Sequence, residues 1–401
     1  MSKPCILGSH EPNTLAQLAD VARRAERVAL MADGHLGYIM PVGGVAAYRN
    51  RVSVAGVGFD IACGNAAIRT DLHADAVMSH RSELADEIQA TISFGIGRTN
   101  KANDAPVDDP LFGDDRWSAF PRGVTVSHAQ NKARAQLGTV GSGNHYVDVF
   151  ADEEDRVWVG VHFGSRGLGH GIASGFMALA RGDQWGQQGK ENEALLALDS
   201  EMGREYWALM GLAGRYAYVG REWVARKVVS MLGGRELELV HNHHNFAWEE
   251  EHDGERFVVV RKGATPAFPG QKGFVGGSMG DNAVIIAGAS DPRVSGAQRL
   301  ALYSTVHGAG RVMSRTEARG KVARRTGKVI RPGKVSQDEM ESWLRRVDVV
   351  LRGGGLDESP QAYRRLREVL KAQGPTINVL HKLRPLIVVM AGADEFDPYK
   401  D

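Results

Sequence analysis

Hydrophobic and polar positions follow two patterns along the chain, one typical of helices and one typical of short strands. Apolar residues recur every three or four positions in five stretches, which predicts helices at 14–32, 75–91, 191–232, 337–351 and 360–372. Short runs rich in β-branched residues and bounded by glycine or charge predict strands at 156–161, 237–240, 256–260 and 284–287. Because the two kinds of element do not alternate regularly, the order favours an α+β fold over a doubly wound sheet.

Glycine is enriched, with 49 of 401 residues against about 7% in an average protein. The glycines cluster at 43–64, 138–143, 160–169, 263–280 and 308–310, and polar residues lie in or beside each cluster. Glycine allows a positive φ and lets the backbone approach a ligand closely, although tight turns in a strand-rich domain would also explain the clusters. Since the clusters extend over most of the chain, we predict one domain over residues 1–401.

Composition narrows the possible classes of protein. The 49 basic and 48 acidic residues give a net charge of +1, so any polyanion site must be a local patch. Two cysteines, Cys5 and Cys63, are too few for a disulfide framework, which favours a reducing compartment and predicts a cytoplasmic location. No run of about 18 apolar residues occurs, so we expect no membrane span.

Asp60 and Cys63 lie three residues apart in a glycine-rich turn, DIACG, after an apolar, strand-like stretch at residues 52–59. A carboxylate and a thiolate at this spacing can converge on one metal ion. The alternative is a buried structural cysteine beside a turn-forming aspartate.

Histidines occur in three further motifs, GSGNH (141–145), VHFGSRG (161–167) and VHNHHN (240–245). Any one of them could be an ordinary core or surface histidine. Together with Asp60 and Cys63 they form a set of imidazole, thiolate and carboxylate groups that is typical of one or two transition-metal ions and suits Mn, Fe or Zn.

A last motif, HGAGRVMSR (307–315), places His307 on a flexible turn beside Arg311 and Arg315. Arginine forks and glycine amides bind phosphate oxygens, and a neutral imidazole can attack phosphorus. An incidental histidine at the start of a helix is the alternative. Eight basic residues against one acid then follow in residues 315–334; they form either a solvated face or a guide for a nucleic-acid backbone.

Eight motifs, in this order, resemble the RtcB family of RNA-splicing ligases. They are DGHLG (33–37), GVGFDIACG (56–64), VGSGNHY (140–146), VHFGSRGLG (161–169), HHN (243–245), RKGAT (261–265), GGSMG (276–280) and HGAGRVMSR (307–315). The resemblance covers nearly the whole chain. It implies the family's own α+β fold, a single domain with a deep metal-binding cleft.

The resemblance also implies a mechanism. His307 would be guanylylated by GTP, the GMP would pass to an RNA 3′-phosphate, often after a 2′,3′-cyclic phosphate is opened, and a 5′-hydroxyl would then displace GMP. The implied ligands of two Mn²⁺ ions, with the Cys63 thiolate bridging, are Asp60, Cys63, His145, His162 and His244. The implied nucleotide- and phosphate-binding residues are Asn144, Arg166, Ser278, His307, Gly308, Ala309, Gly310, Arg311 and Tyr363. Asp33 would act near the RNA end.

Several positions depart from the family pattern. Ala62 and Phe163 replace a usual glycine and serine, which changes shape more than chemistry. Three further changes weaken the implied guanine contacts: Asp148 replaces a glutamate, Ala283 a serine and Ala391 a lysine. Together they suggest a relaxed or altered nucleotide specificity, or reduced ligase activity, with the metal and nucleotidyl chemistry retained.

Two other functions stay open at this point. One is a metal-dependent phosphoesterase or nucleotidyltransferase that acts on RNA 3′ ends without joining them; a phosphoesterase would not need His307. The other is a nucleotide- or RNA-binding regulator with a purely structural metal site. The resemblance further implies a monomer and a possible archease-type activator.

Overall fold

The structure, a computed structural model, describes residues 3–190, 192–322, 329–393 and 395. Its helices are α1 (Pro12–Ala22), α2 (Val54–Val57), α3 (Asp75–Met78), α4 (Arg81–Thr91), α5 (Val126–Gln136), α6 (Arg166–Ala180), α7 (Glu201–Met231), α8 (Ser295–Leu300), α9 (Arg315–Arg319), α10 (Gln337–Val347) and α11 (Leu366–Gln373). Its strands are β1 (Cys5–Ile6), β2 (Arg27–His35), β3 (Val42–Tyr48), β4 (Arg51–Ser53), β5 (Gly64–His73), β6 (Tyr146–Ala151), β7 (Arg156–Phe163), β8 (Leu195–Ala197), β9 (Glu236–His243), β10 (Asn245–His252), β11 (Glu255–Lys262), β12 (Ala264–Pro266), β13 (Lys272–Val275), β14 (Ala283–Gly288), β15 (Ser304–Val306), β16 (Gly320–Val322), β17 (Val329–Pro332), β18 (Val350–Arg352) and β19 (Ile377–Met390).

The largest sheet has eight strands and nearly closes into a barrel. Its order is β13-β14-β19-β6-β7-β5-β9, with β18 added parallel to β19 and every other pair antiparallel. Side chains join the outer strand β13 to β5 and to the other outer strand, β9: Asn65 Nδ2 on β5 donates to the Phe274 carbonyl at 2.8 Å, and the Phe274 amide donates to Asn242 Oδ1 on β9 at 3.2 Å. The sheet therefore has an inside and an outside.

Strand β7 shows how the alternation of side chains uses these two faces. Val157, Val159 and Val161 pack outside, in a cluster with valines of α7 and residues of α4. Trp158 lies inside, in the cluster that fills the barrel. His162 falls on the inner face by the same period of two, so the strand delivers it to the barrel interior.

The register brings five strand ends to the same end of this sheet. Gly64, at the start of β5, pairs with Phe163 at the end of β7 and with His243 at the end of β9. Tyr146, at the start of β6, pairs with His162 and with Met390 at the end of β19. The polar motifs that adjoin these ends are therefore neighbours in space.

A second sheet, with the order β1-β2-β3-β11-β10, faces the same site. Its strand β2 carries Asp33, and β11 ends at Lys262. The short ladder β12–β15 follows, and β15 ends at Val306, immediately before His307. The site is thus assembled between the end of the barrel and the second sheet.

The predicted α+β class is confirmed, and the four predicted strands lie within β7, β9, β11 and β14. The helix predicted at 14–32 was wrong beyond Ala22, because residues 27–35 form β2. That strand pairs with β3 and is buried along nearly its whole length. The apolar pattern of such a continuous run does not distinguish a buried helix from a buried strand.

The other helix predictions need smaller corrections. The helix predicted at 75–91 is interrupted between α3 and α4. The helix predicted at 337–351 ends at Val347 with α10, and residues 350–352 form strand β18. The helix of 360–372 begins only at Leu366. In 191–232, residue 191 lies outside the described residues and α7 begins at Glu201, where the Ser200 hydroxyl caps the Gly203 amide. Of the strand-like stretch 52–59, residues 52 and 53 belong to strand β4, and residues 54–57 form helix α2, which is capped by Ser53.

In the part of the chain that the structure describes, no helix is both long and apolar enough to cross a membrane.

Candidate active site

Five side chains from the strand ends converge on one point. Asp60 and Cys63 precede β5, His145 precedes β6, His162 lies on β7 and His244 follows β9. The Cys63 Sγ atom is 3.6 Å from His145 Nε2 and 3.7 Å from His162 Nε2, and Asp60 Oδ2 is 3.1 Å from His145 Nε2. Two groups of potential ligand atoms result, Asp60–Cys63–His145 and Cys63–His162–His244, each within 4.8 Å. They share Cys63, so the cluster could hold one metal ion or two.

Burial keeps two of these imidazoles neutral. It lowers the pKa of His162 and of His244 well below the usual range, so each offers a lone pair. Burial also raises the pKa of the Cys63 thiol, and the Asp60 charge adds to this effect. Burial alone would raise the pKa of Asp60 too, but the hydrogen bond and charge of His145, the hydrogen bond of Cys63 and the charge of Arg166 together outweigh burial, and the pKa falls to about 2.

The donor set fits a transition metal ion. A thiol, three imidazoles and a carboxylate are soft and borderline ligands. The Nδ1–H of His162 donates to Asn65 Oδ1 at 2.7 Å, which directs Nε2 toward Cys63. His244 Nδ1 is buried without a hydrogen-bond partner among the described residues. A metal would satisfy such an atom, and it would displace the Cys63 proton.

The turn that carries Cys63 is held in a strained conformation. Ala62 has φ = +61°, in the left-handed region that costs a residue with a Cβ about 1 kcal/mol or more. Its amide donates to the Asn245 carbonyl at 2.7 Å, and the Cys63 carbonyl accepts from the His244 amide at 2.8 Å. The departure at Ala62 is therefore accommodated by bonds to the chain around His244.

His307 lies beside the cluster, with its ring centroid 4.9 Å from that of His244. The carboxylate of Asp33, fully buried, accepts from His307 Nδ1 at 2.7 Å and from the backbone amides of His307 at 3.0 Å and Gly308 at 3.2 Å, all at Oδ2. Because Nδ1 carries the proton in this contact, the lone pair of the ring is on Nε2. The contact therefore prepares Nε2 as a nucleophile.

Glycine is required where the His307 loop crosses β2. Gly310 has φ = +72°, and a Cβ there would lie 2.3 Å from the Asp33 carbonyl oxygen. Any larger residue would separate the loop from the strand that holds Asp33.

A cavity of about 890 Å³ is lined by Asp60, Cys63, His162, His244 and His307. On one wall, Arg311 Nη1 donates to the Tyr363 hydroxyl at 2.9 Å, and the guanidinium lies 4.9 Å from the centroid of that ring. Arg311 and Arg315 both contact the buried carboxylate of Glu358. The wall therefore presents two ordered guanidiniums, a geometry suited to phosphate oxygens.

The other predicted nucleotide contacts are distributed around the same cavity. The lining includes Asn144, Ser278, Gly308, Ala309, Gly310, Arg311 and Tyr363. The hydroxyl of Ser278 is buried without a hydrogen-bond partner in the described structure. Arg166 instead lies behind His145, where its Nε donates to Thr139 Oγ1 at 3.0 Å and its Nη2 to the Gly95 carbonyl at 2.8 Å.

The three departures from the family pattern at the implied guanine contacts, Asp148, Ala283 and Ala391, lie toward one end of the cavity. Asp148 reaches it from β6, and Oδ1 of its nearly buried carboxyl has no hydrogen-bond partner among the described groups. Burial raises the pKa of Asp148 well above its usual value. Ala283 is fully buried in the barrel core, and Met390 lines the cavity just before Ala391. The serine and lysine of the family pattern have no polar counterpart at these positions.

Beside the mouth of the cavity, α9 leads into the hairpin β16–β17. Arg319, Lys321, Arg331 and Lys334 are exposed there. Of the basic run predicted from the sequence, Arg324, Arg325 and Lys328 lie outside the described residues.

Sequence reasoning missed several functional contacts. Asp33 was expected near the RNA end, whereas its carboxylate holds His307. Asn65, Arg221 and Glu358 carry no recognisable motif, and their contacts join residues 47 to 159 positions apart along the chain. A single sequence gives no signal for such pairs, except that Asn65 follows the DIACG turn directly.

A buried cluster of thiol, imidazole and carboxylate groups that could hold a metal ion, beside an aspartate-paired histidine, is typical of metal-dependent proteins that transfer phosphoryl or nucleotidyl groups. The comparisons specify the family. The model described as "tRNA-splicing ligase RtcB" matches residues 14–391, and the chain belongs to the RtcB family. It is 29% identical to the RNA-splicing ligase RtcB of Escherichia coli K12, over 94% of each chain.

Archaeal relatives are equally similar. The tRNA-splicing ligase RtcB of Thermococcus kodakarensis is 30% identical over 94% of this chain and 90% of its own length. That of Nanoarchaeum equitans is 31% identical over 94% and 92%. Membership of this family explains the sequence motifs and is consistent with the α+β fold. The names of these relatives support the interpretation of this protein as an RNA ligase.

Proposed function

We propose that this protein joins RNA ends, linking a 3′-phosphate or 2′,3′-cyclic phosphate to a 5′-hydroxyl through a histidine–GMP intermediate formed from GTP. The observation that carries the proposal is the Asp33–His307 pair, directed into the cavity beside a metal-ligand cluster. Family membership supports the RNA substrate, since the relatives are named for RNA and tRNA splicing.

The first step is nucleotidyl transfer to His307. Its Nε2 lone pair attacks the α-phosphorus of GTP, an N–P bond forms, and the bond to the β-phosphate oxygen breaks to release pyrophosphate. The ring becomes cationic as the N–P bond forms, and the Asp33 carboxylate at Nδ1 stabilises that charge. Arg311 holds phosphate oxygens on the adjoining wall.

The next steps return the ring to its neutral state. A 3′-phosphate oxygen of RNA attacks the phosphorus of the histidine–GMP bond and displaces the imidazole. The 5′-hydroxyl then attacks the phosphorus of the activated 3′-phosphate, its proton passes to solvent, and GMP leaves with the bridging oxygen, so that a phosphodiester is formed. Where the RNA ends in a 2′,3′-cyclic phosphate, water first attacks that phosphorus and the bond to the 2′-oxygen breaks, which leaves a free 3′-phosphate. Two Mn²⁺ ions held by Asp60, Cys63, His145, His162 and His244 would supply charge neutralisation and orientation for these displacements.

The base end of the cavity supports a relaxed or altered nucleotide specificity. Burial raises the pKa of Asp148 and so favours the protonated carboxyl, which both donates and accepts a hydrogen bond, unlike a carboxylate. Adduct yield with each of the four nucleoside triphosphates tests this part. A strict preference for GTP at low micromolar concentration would contradict it.

Ligation itself is tested with two labelled RNA oligonucleotides, one ending in a 3′-phosphate and one beginning with a 5′-hydroxyl, in the presence of Mn²⁺ and GTP. Wild type should yield the joined product and His307→Ala should yield none. Removal of the 3′-phosphate without joining, and to the same extent in His307→Ala, would instead support the phosphoesterase. Binding of RNA with no change at either end would support the regulator.

A monomeric state, help from an archease-type activator, a cytoplasmic location and a single domain over residues 1–401 complete the proposal. The location is supported by the unpaired state of Cys5 and Cys63.

A further inference from the structure

Arg221, on helix α7, is a charged side chain in an unusual place. It is fully buried, and buried arginines are normally paired with a carboxylate. Among the residues that the structure describes, its hydrogen-bond partners are two backbone carbonyls and two imidazoles. No carboxylate belongs to this set, so ordinary ion pairing does not explain its presence.

The partners of Arg221 adjoin three of the candidate metal ligands. Its Nη1 donates to the carbonyl of Ala62, next to Cys63, at 2.8 Å. The same nitrogen donates to the carbonyl of Phe163, next to His162, at 2.5 Å.

On the third side, Arg221 Nη2 donates to His243 Nδ1 at 2.8 Å, and His243 directly precedes His244. One guanidinium therefore bridges the turn before β5, the end of β7 and the end of β9.

The two histidines around Arg221 serve it as acceptors. A guanidinium has only N–H donors, so His241 Nε2, at 2.8 Å from Arg221 Nε, and His243 Nδ1 must each present a lone pair. Both rings also contact Tyr218, with centroids 4.1 and 3.9 Å from its ring. This packing fixes the guanidinium from behind and leaves its positive charge facing the ligand cluster.

The backbone is built to let the guanidinium approach. A Cβ at Gly64 would lie 3.1 Å from Arg221 Nη2 and only 2.2 Å from the Asn242 carbonyl oxygen. Ala62, whose carbonyl Arg221 holds, is the residue with φ = +61°. A strained conformation persists only where surrounding bonds determine it, and the Arg221 bond is one of these.

We infer that Arg221 is a positioning residue of the metal centre. It holds the three ligand-bearing strand ends at their mutual spacing and supplies the positive charge that a metal-bound Cys63 thiolate requires. This inference rests on the proposed function, because it assumes that the cluster binds metal.

The test uses the metal-free full chain titrated with Co²⁺, which reports a cysteine ligand through thiolate-to-metal charge-transfer absorption. Arg221→Met should weaken Co²⁺ binding about 10- to 100-fold, the usual effect of removing a group that orients metal ligands. Arg221→Lys keeps the charge but cannot reach all four partners, so its affinity should fall between wild type and Arg221→Met. Arg215→Met, on the same helix but partly exposed, is the matched control and should bind as wild type does.

Thermal unfolding of each metal-free variant separates positioning from simple stability. A lower midpoint together with wild-type Co²⁺ affinity and absorption in Arg221→Met would overturn the inference. If Arg221→Met does not fold, wild-type affinity in Arg221→Lys overturns it instead. Failure of the wild-type chain to bind Co²⁺ through Cys63 would contradict the proposed metal centre itself, and His307 labelling would remain a separate measure of nucleotidyl transfer.

Discussion

The contact between Asp33 and His307 determines what a single imidazole can do. Three donors converge on one carboxylate oxygen of Asp33, and this fixes both the tautomer of His307 and the path of its loop. The sequence motif predicts His307 as a nucleophile, but Asp33, which accepts the hydrogen bond from its Nδ1, lies 274 positions away and could not be paired with it from one sequence.

Asp33→Asn tests this contact. The amide keeps an oxygen near Nδ1 but loses the charge that stabilises the imidazolium, and its NH₂ group can favour the wrong tautomer. We expect adduct formation to slow by about 10²- to 10⁴-fold, as in other aspartate–histidine pairs, while metal affinity is unchanged. Single-turnover labelling and a Co²⁺ titration measure the two effects. A labelling rate like that of wild type would show that the carboxylate is dispensable.

Asp148 makes stability depend on pH. Its pKa is raised by burial in the folded state, so the folded chain binds a proton more tightly than the unfolded chain. The protonated Asp148 carboxyl therefore makes its full contribution to the free energy of unfolding at pH values below the unfolded-state pKa. This contribution is lost as the pH rises toward the folded-state pKa, by up to about 1.4 kcal/mol per pH unit.

Asp148→Asn should remove this slope and leave a more stable protein at pH 7 to 8 than wild type. Urea unfolding at a series of pH values measures the free energy of unfolding. Parallel profiles for the two proteins would show that the Asp148 carboxyl is ionised with its ordinary pKa.

Strand ends, more than single motifs, create the ligand cluster. Each histidine motif was recognised in the sequence, but their convergence depends on the register of β5 with β7 and β9. That register is set by pairings between residues about 80 to 180 positions apart, which local patterns do not encode. The same limit explains why the buried run that forms β2 was predicted as helix.

Asn65 and Asn242 occupy paired positions on β5 and β9 and both bond the backbone of Phe274, but only Asn65 also orients His162. Asn65→Ala and Asn242→Ala should each lower the free energy of unfolding by about 1–3 kcal/mol, because a buried backbone group loses its partner. Only Asn65→Ala should also weaken metal binding, about 10- to 100-fold. Equal affinities in the two variants, measured by Co²⁺ titration, would count against a role of Asn65 in orienting the ligand.

Over the molecule as a whole, charge is nearly balanced at +1, yet basic groups collect beside the cavity mouth. Lys321 and Arg331 lie directly opposite each other in the β16–β17 hairpin, an arrangement that is unfavourable in the absence of an anion. A phosphate backbone passing this hairpin would relieve the repulsion.

Lys321→Glu should therefore weaken RNA binding and reduce by about 1 the slope of log affinity against log salt concentration. Fluorescence anisotropy with a single-stranded RNA at several salt concentrations provides the measurement. Arg235→Glu, just before β9 at its end away from the cavity, is the control and should leave the slope unchanged. An equal effect of the two reversals would show that the hairpin has no special part in RNA binding.

Nucleotidyl transfer to His307 is the central claim, and labelling with α-³²P-GTP and Mn²⁺ in wild type and His307→Ala tests it most directly. We expect an acid-labile, base-stable adduct in wild type that is absent from the His307→Ala variant. Parallel labelling by ATP would place the nucleotide specificity with Asp148 and its neighbours. No adduct with any nucleotide, from protein shown to carry metal, or an adduct that persists in His307→Ala, would contradict the account.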